Sequence, residues 1–270
     1  MQFPYLIPPP GGHFGPVYTD LTIGNDVFLG SILKDVVRGF DGNDFIRGGG
    51  NHDKLYGGGG RDWLFGESGH DWLFGGDDND WLYGGIGNDF LFGGSGNDKL
   101  YGGRGDDQLF GEDGDDLLVG EGGNDILDGG AGDDTLKAVE SGSHFGSYVY
   151  IGGEGDDELH GYFGADTFVF SNTHGAEFHG NDVIHNFGLV SPAVSSGRDK
   201  IDLSDTEVAN FEDLLDGPLT SGATANGIYM EQFEDSARIW TSEMGWWGEG
   251  DSIELRGVDM TTLTEDDFIF

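Results

Sequence analysis

The chain has 270 residues, of which 53 are glycine, 51 are acidic and 12 are lysine or arginine, so its formal net charge is −39. Such an acidic surface excludes nucleic acid as a natural partner and disfavours an anionic membrane surface. The absence of cysteine excludes a disulfide framework, a zinc–thiolate site and a cysteine nucleophile. No apolar run approaches the ~18 residues of a membrane span, so we predict no transmembrane segment.

Residues 1–20 form an N-terminal extension ahead of a repetitive region. The extension opens with MQFPYLIPPP, which lacks the basic start of a Sec signal peptide and contains a proline-rich stop. If the protein is exported, we therefore expect a route other than the Sec pathway.

Residues 21–137 consist of thirteen gap-free units of nine residues. Position six is aspartate in every unit, and position eight is apolar in every unit. The apolar residues are Phe28, Val37, Ile46, Leu55, Leu64, Leu73, Leu82, Leu91, Leu100, Leu109, Leu118, Leu127 and Leu136. The first two units match the pattern weakly, because Leu33 stands at position four where the other units have Gly, Asn or Asp.

Each unit reads as a six-residue turn followed by a three-residue strand. Adjacent glycines allow positive φ, and Asn51 and Asp78, which replace glycine at position four, are residue types that tolerate the left-handed region. The side chain at position eight, in the middle of the strand, points inward. Two units make one coil, and coils stack about 4.8 Å apart. We predict an all-β fold, a parallel β-roll, that is, a right-handed β-helix of two short parallel sheets.

This stacking places the position-six carboxylates of alternate units on the same edge, as for Asp44 and Asp62 or Asp53 and Asp71. With backbone carbonyls of the glycine turns they form an all-oxygen cage, which favours Ca²⁺ over Zn²⁺ and over Mg²⁺. The alternative is that each aspartate only caps its own turn. The predicted carboxylate ligands are Asp44, Asp53, Asp62, Asp71, Asp80, Asp89, Asp98, Asp107, Asp116, Asp125 and Asp134, joined by Asp26 and Asp35 from the two weak units. The predicted carbonyl ligands are those of Gly48, Gly57, Gly66, Gly75, Gly84, Gly93, Gly102, Gly111, Gly120 and Gly129.

The units GGIGNDFLF and GGSGNDKLY resemble the GGxGxDxUx repeats of the RTX family, which are calcium-binding repeats of secreted bacterial proteins. The resemblance implies a parallel β-roll that binds Ca²⁺ between the turns of alternate units. The eleven strong units from Gly39 to Lys137 would form nine such pairs. We therefore expect about nine calcium ions in the main roll, and a chain that folds when it binds them.

Residues 138–151 interrupt the repeat phase, and two further units follow at residues 152–169. These units, GGEGDDELH and GYFGADTFV, add Asp157 and Asp166 to the predicted calcium ligands. The interruption is either an insertion that bulges from one continuous roll or a break between two rolls.

Residues 170–270 are predicted to form a β-rich cap with one short helix. Ser204 and Glu207 make a capping box ahead of apolar residues at helical spacing, and Gly217-Pro218 ends the helix. The region resembles the C-terminal caps of serralysin-type proteases and of alginate epimerase R-modules. In that family a terminus such as LTEDDFIF resembles a type I secretion signal, which implies an ABC exporter and an extracellular or cell-surface location, with a Gram-negative source. An ordinary terminal strand that closes the last coil would explain the same residues.

The sequence contains no HExxH and no GxSxG motif, so we predict no enzyme activity and no catalytic residue. An enzyme would need its site in the cap. His52 and His70 are interpreted as solvent-facing turn residues. His174, His179 and His185 are placed in an irregular connector, with a transition-metal site as the alternative.

Aromatic residues occupy the outward positions of neighbouring units, so that Trp63 should stack on Trp81 and Trp72 on Phe90. Packing between strands explains such residues, and contiguous exposed aromatics also mark partner surfaces.

The leading hypothesis is a secreted calcium-binding RTX protein with a structural, adhesive or signalling role. The alternative is a calcium-dependent polysaccharide-binding module that resembles the R-modules, with the four aromatic residues as its surface.

Overall fold

The computed structural model describes residues 17–138, 146–170, 180–187, 198–203, 229–232, 236–240, 252–258 and 263–269. Successive strands alternate between two sheets, so that each strand pairs with the strand two places along the chain. The strands of the first sheet, in spatial order, are β1 Val17–Asp20, β3 Asp35–Asp41, β5 Lys54–Gly59, β7 Trp72–Asp77, β9 Phe90–Ser95, β11 Gln108–Asp113, β13 Ile126–Ala131, β15 Val149–Glu154, β17 Thr167–Val169, β19 Lys200–Asp202 and β23 Phe268–Ile269.

The strands of each sheet pair in parallel through the repeats, and the second sheet ends with an antiparallel hairpin. Its strands, in spatial order, are β2 Val27–Ser31, β4 Phe45–Gly50, β6 Trp63–Ser68, β8 Trp81–Ile86, β10 Lys99–Arg104, β12 Leu117–Gly122, β14 Thr135–Lys137, β16 Glu158–His160, β18 Asn181–His185, β22 Ser252–Arg256, β21 Ser236–Trp240 and β20 Tyr229–Gln232. The predicted all-β parallel roll with a β-rich cap is confirmed.

The core is a single file of apolar side chains between the two sheets. Leu64 pairs in register with Leu82, and Leu55 with Leu73, as the predicted stacking of alternate units requires. Every position-eight residue from Val37 to Leu136 has no solvent exposure. The aspartate at position six and the residue at position one also face inward, because side chains alternate along a strand.

Most repeat strands are longer than the sequence suggests. The strand Trp81–Ile86 has six residues and runs through Gly84 and Gly85, where a turn was expected. Gly85 pairs with Gly103 in the next coil, so the backbone ladder continues through the glycines even though Gly85 has a φ of 113°. The prediction of three-residue strands was wrong for these units because it treated every glycine as turn material.

Left-handed backbone occurs at two positions of the regular units, namely two and four. At position four Asn51 and Asp78 have φ values of 74° and 73°, as expected for residues that replace glycine there. At position two the left-handed residue is usually glycine, but Phe40 and Glu112 take the same conformation with φ values of 74° and 77°. Leu33 is not among the described residues with positive φ, which agrees with the irregular second unit.

The two sheets continue without interruption past residues 138–151. Strand β13 pairs with β15, and β14 pairs with β16, so the same two sheets are present on both sides of the interruption. Val149–Ile151, which were assigned to the interruption, belong to β15, because they pair with Ile126–Asp128. The chain end LTEDDFIF contributes a 3₁₀ turn, Glu265–Asp267, and β23, which pairs with β19. The predicted capping box at Ser204 and Glu207, the helix after it and residues 1–16 lie outside the described residues. Among the described residues, no helix is both long and apolar enough to cross a membrane.

Candidate metal centre

The position-six aspartates form two continuous ladders inside the roll. In each ladder, Oδ1 of one aspartate accepts a hydrogen bond from the backbone N–H of the aspartate in the preceding coil. Asp44 N–H donates to Asp62 Oδ1 at 2.7 Å, and Asp53 N–H donates to Asp71 Oδ1 at 2.7 Å. The first ladder consists of Asp26, Asp44, Asp62, Asp80, Asp98, Asp116, Asp134, Asp157 and Asp182. The second consists of Asp35, Asp53, Asp71, Asp89, Asp107 and Asp125.

The other carboxylate oxygen of most of these residues is buried and receives no hydrogen bond. Asp62 and Asp71 have no solvent exposure, and no described donor reaches the Oδ2 atom of either. The same holds for Oδ2 of Asp44, Asp53, Asp80, Asp89, Asp98, Asp107, Asp116, Asp134 and Asp157. An unsatisfied buried acceptor costs about 1–3 kcal/mol, and more when it is charged. A repeated set of such atoms therefore indicates a group that they bind.

Glycine at position one leaves a space directly beside each free oxygen. A β-carbon added to Gly57 would lie within 3.0 Å of both Asp62 Oδ2 and the carbonyl oxygen of Gly75. Such a contact is closer than real β-carbons make, so a residue other than glycine would fill this space. Carboxylate and carbonyl oxygens are the ligands that Ca²⁺ prefers, whereas Zn²⁺ favours nitrogen and sulfur and Mg²⁺ retains water. The donor set therefore fits calcium.

The structure brings eight of the ten predicted glycine carbonyls to the free Oδ2 of an aspartate in the preceding coil. Each of these carbonyl oxygens and its Oδ2 partner lie within 3.0 Å of the same β-carbon position on a position-one glycine. The pairs are Gly57 with Asp44, Gly75 with Asp62, Gly84 with Asp71, Gly93 with Asp80, Gly102 with Asp89, Gly111 with Asp98, Gly120 with Asp107 and Gly129 with Asp116. The Gly48 carbonyl lies against Gly30 instead. The three atoms nearest to a β-carbon on Gly48 all belong to Asp53, so the Gly66 carbonyl is not among them. Beside Asp134 the structure adds the carbonyl of Gly152, which sequence reasoning missed.

Three of the predicted ligands lie in a different kind of turn. Oδ2 of Asp26, Asp35 and Asp166 accepts a hydrogen bond from the position-two backbone N–H of its own unit, at 2.7, 3.1 and 3.1 Å. In the other units residue two has positive φ, and no described N–H reaches Oδ2. The structure thus places Asp166 with the two aspartates of the weak first units, in which Oδ2 has a donor from its own unit, although Oδ1 of Asp35 is buried without a described donor.

Tyr148 takes the place of an aspartate in the second ladder. Its N–H donates to Asp166 Oδ1 at 3.0 Å, and Asp166 N–H donates to Asp199 Oδ1 at 3.0 Å. The Tyr148 ring lies against Gly120, and its hydroxyl donates to the Glu121 carbonyl. An aromatic ring therefore occupies the space beside Gly120.

Sequence reasoning missed the ladder positions of Tyr148, Asp182 and Asp199. The segment Gly180-Asn181-Asp182-Val183-Ile184 repeats positions four to eight of a unit and could have identified Asp182. Asp199 precedes Lys200-Ile201-Asp202, which matches positions seven to nine more weakly. These signals were obscured because the connectors between the units vary in length.

Burial raises the pKa values of the ladder carboxyls, because desolvation disfavours the charged form. The pKa rises to about 6 for Asp44, about 8 for Asp53 and about 9 for Asp134. The backbone hydrogen bond to each carboxylate lowers its pKa, and neighbouring aspartates raise it again. Without a cation, several of these groups would therefore hold a proton near neutral pH.

The predicted aromatic pairs are present on the outer faces of the two sheets. Trp63 stacks on Trp81 with ring centroids 4.8 Å apart, and Trp72 stacks on Phe90 at 4.6 Å. The ammonium groups of Lys54 and Lys99 lie 4.8 and 5.4 Å from the ring centroids of Trp72 and Trp81. Trp72 and Trp81 are thus each contacted by another ring and by a lysine, whereas the described stack of Trp63 is with Trp81 alone, and Trp63 and Trp72 remain 36% exposed.

The histidines considered in the sequence analysis are a pair in the turns and a set of three beyond residue 170. His52 and His70 stack at 4.9 Å, and their Nδ1 atoms accept hydrogen bonds from the N–H groups of His70 and Asn88, both at 2.7 Å. His174 and His179 lie outside the described residues. His185 belongs to strand β18, so its placement in an irregular connector was wrong.

Comparison with known proteins identifies both parts of the chain. The model of the RTX calcium-binding nonapeptide repeat (4 copies) matches residues 22–55, 38–73, 56–91, 65–100, 74–109 and 101–136. The model of the peptidase M10 serralysin C terminal matches residues 148–245. A search of curated proteins found no match.

Among solved structures, the extracellular lipase LipA from Serratia marcescens is 17% identical, with a TM-score of 0.25. The match covers 96% of this chain and 40% of the lipase chain, so the chain spans well under half of that protein. On the two family matches, residues 22–136 consist of RTX calcium-binding nonapeptide repeats, and residues 148–245 match a C-terminal domain of the serralysin type.

Proposed function

We propose that the chain binds several Ca²⁺ ions along the two aspartate ladders and folds when it does so. The observation that carries this proposal is the repeated pair of a free, buried Oδ2 and a glycine carbonyl beside a space that only glycine leaves open. In this proposal the carboxylates and the position-one carbonyls hold the ions, and the ions neutralise charge that burial would otherwise make unfavourable.

The free energy that bound calcium would add to folding supports a chain that folds on binding. With free Ca²⁺ tenfold above the Kd, one site stabilises the fold by about 1.4 kcal/mol. About nine sites would contribute roughly 13 kcal/mol, which is comparable to the whole stability of a typical domain, about 5–15 kcal/mol. A core with one large side chain per unit could not supply this on its own.

An extracellular location follows from the same proposal. Calcium sites of extracellular modules have Kd values of about 10⁻⁴–10⁻³ M, so such a chain would stay unfolded until it meets calcium outside the cell. The serralysin-type C-terminal domain supports export by a type I ABC exporter from a Gram-negative cell. Detection of the chain in the culture medium, dependent on a co-expressed exporter and on residues 170–270, tests this step.

We propose a structural, adhesive or signalling role without catalysis for the exported protein. The polysaccharide-binding alternative would use Trp63, Trp72, Trp81 and Phe90. Sugar rings bind to exposed aromatic faces, whereas Trp72 and Trp81 are each contacted by another ring and by a lysine. Packing between strands is therefore the better interpretation of the aromatic ladders. Glycan-array binding in calcium, with and without Trp63→Ala and Trp72→Ala, separates the two roles.

The calcium proposal is tested with two adjacent aspartates. Asp107 lies in the second ladder, whereas Asp106 lies at the exposed position five, where Asn88 and Asn124 occur in neighbouring coils. Asp107→Asn and Asp106→Asn remove the same charge one residue apart. We expect Asp107→Asn to raise the calcium concentration at the folding midpoint and Asp106→Asn to leave it close to wild type, as measured by circular dichroism during EDTA and Ca²⁺ titration. A β signal that EDTA leaves unchanged in the wild-type chain would contradict the proposal.

A further inference from the structure

A cluster of nitrogen and oxygen donors lies on the outer face of the second sheet, away from the aspartate ladders. His160 in β16 pairs in register with His185 in β18, and Glu158 precedes His160 by two residues on the same face. The imidazole rings stack with centroids 4.3 Å apart and planes inclined by 3°. One donor atom from each of the three side chains lies within 4.8 Å of the other two.

The donor atoms of this cluster are available to a ligand. His185 Nε2 is buried, and no described group forms a hydrogen bond with it. His160 Nε2 lies 3.4 Å from Glu158 Oε2, which is longer than a good hydrogen bond. The His52–His70 pair stacks in a similar way but has both Nδ1 atoms occupied by backbone N–H groups and belongs to no such donor cluster among the described residues. Stacking alone therefore does not create the cluster around His185.

Burial lowers the pKa of His160 and of His185, which favours the neutral form that binds metals. The neighbouring His185 lowers the pKa of His160 further and Arg256 lowers that of His185, whereas Glu158 raises both. Two cations bracket the cluster, because Lys137 pairs in register with His160 and Arg256 lies near His185. Arg256 is paired with Glu254 at 3.2 Å, so part of its charge is compensated.

We propose that Glu158, His160 and His185 form a binding site for Zn²⁺ that is separate from the calcium ladders. Two imidazole nitrogens and one carboxylate oxygen are a donor set that suits Zn²⁺ and disfavours Ca²⁺. Three protein ligands leave one tetrahedral position for water or for a group from a partner. Donor atoms around tetrahedral zinc lie about 3.3 Å apart, so the side chains must close by at most about 1.5 Å on binding.

The experiment uses the full chain without an affinity tag, in saturating Ca²⁺, so that the ladders are not available to zinc. Zn²⁺ is titrated against a chromophoric chelator. We expect one zinc equivalent that competes with the chelator for the wild-type chain and at least about tenfold weaker binding for Glu158→Gln. The double variant His160→Gln/His185→Gln should lose this equivalent.

His52→Gln/His70→Gln is the matched control, since it removes a stacked pair of equal size and should keep the zinc equivalent. Circular dichroism in calcium confirms that each variant is folded, and Glu158→Gln, on an exposed side chain, provides the test if the double variant fails to fold. The proposal is overturned if the wild-type chain binds no zinc equivalent, or if Glu158→Gln or the folded His160→Gln/His185→Gln variant binds zinc as tightly as the wild type.

Discussion

A methyl group placed in the space beside Asp62 should remove one ion site. Gly57 does not have positive φ, so alanine can adopt its conformation, but its β-carbon would lie within 3.0 Å of Asp62 Oδ2 and of the Gly75 carbonyl. Gly59, in the same unit, is the control, because a β-carbon there would meet only Asp41 Oδ1 at 3.7 Å and its φ is also not positive.

We expect Gly57→Ala to cost about 1.4 kcal/mol from the lost ion at tenfold saturation and about 1–3 kcal/mol from overpacking. A domain of this size loses about 2–4 °C in Tm per kcal/mol, so the Tm should fall by roughly 5–18 °C. Gly59→Ala should change stability by at most about 1 kcal/mol, in the stabilising direction. The assay is thermal unfolding by circular dichroism over a range of Ca²⁺ concentrations. If Gly57→Ala and Gly59→Ala gain the same Tm per decade of calcium as the wild type, the site beside Asp62 is not an ion site.

Three further changes test other parts of the reasoning. In EDTA, burial raises the pKa of the folded state to about 8 at Asp53 and about 9 at Asp134, above the unfolded value of 3.8. The folded fraction without calcium should therefore be greatest below pH 4 and fall as the pH rises to 9. Circular dichroism in EDTA across this range measures it, and a folded fraction that rises with pH would refute the prediction. In calcium the trend should reverse, because the ion binds the deprotonated carboxylates. Glu112→Gly should stabilise the fold by about 0.5–1 kcal/mol, since Glu112 has a φ of 77° and glycine relieves that strain; an unchanged or lower urea midpoint would contradict this. Trp72→Ala should lower stability by about 1–2 kcal/mol through the lost stack on Phe90 while leaving calcium affinity unchanged, and a loss of calcium affinity measured by titration would contradict the assignment of Trp72 to packing.

The periodic parts of the molecule could be predicted from the sequence because each unit repeats the same physical problem. Once the nine-residue period was recognised, Leu64 and Leu82 were expected to face inward. Asp62 was expected to lie on the same edge of the roll as the aspartates of alternate units. The left-handed backbone at Asn51 and Asp78 followed from residue type alone. The length of the strands did not follow, because glycine gives no sign of whether its backbone pairs with a neighbour.

The parts beyond residue 137 depend on connector lengths that no local pattern determines. The backbone N–H of Asp134 donates a hydrogen bond to Asp157, 23 residues later, whereas the N–H of Asp157 donates to Asp182, 25 residues later. The same irregular spacing brings His160 beside His185, although the sequence associates His185 with His174 and His179. Tyr148 could not be recognised as a ladder residue, since its side chain shares no chemistry with the aspartate that it replaces.

The aspartates whose Oδ2 atom accepts a hydrogen bond from the backbone of their own unit lie toward the two ends of the roll. Asp26 and Asp35 accept position-two N–H groups in the first coil, and Asp166 does so next to the cap, whereas the coils between them leave Oδ2 without a described donor. In a stack where each coil contacts only its neighbours, folding propagates from whichever coil forms first. If the ions bind along the ladders, the calcium requirement of folding would therefore fall mainly on the middle coils, whose Oδ2 atoms have no described donor from their own unit.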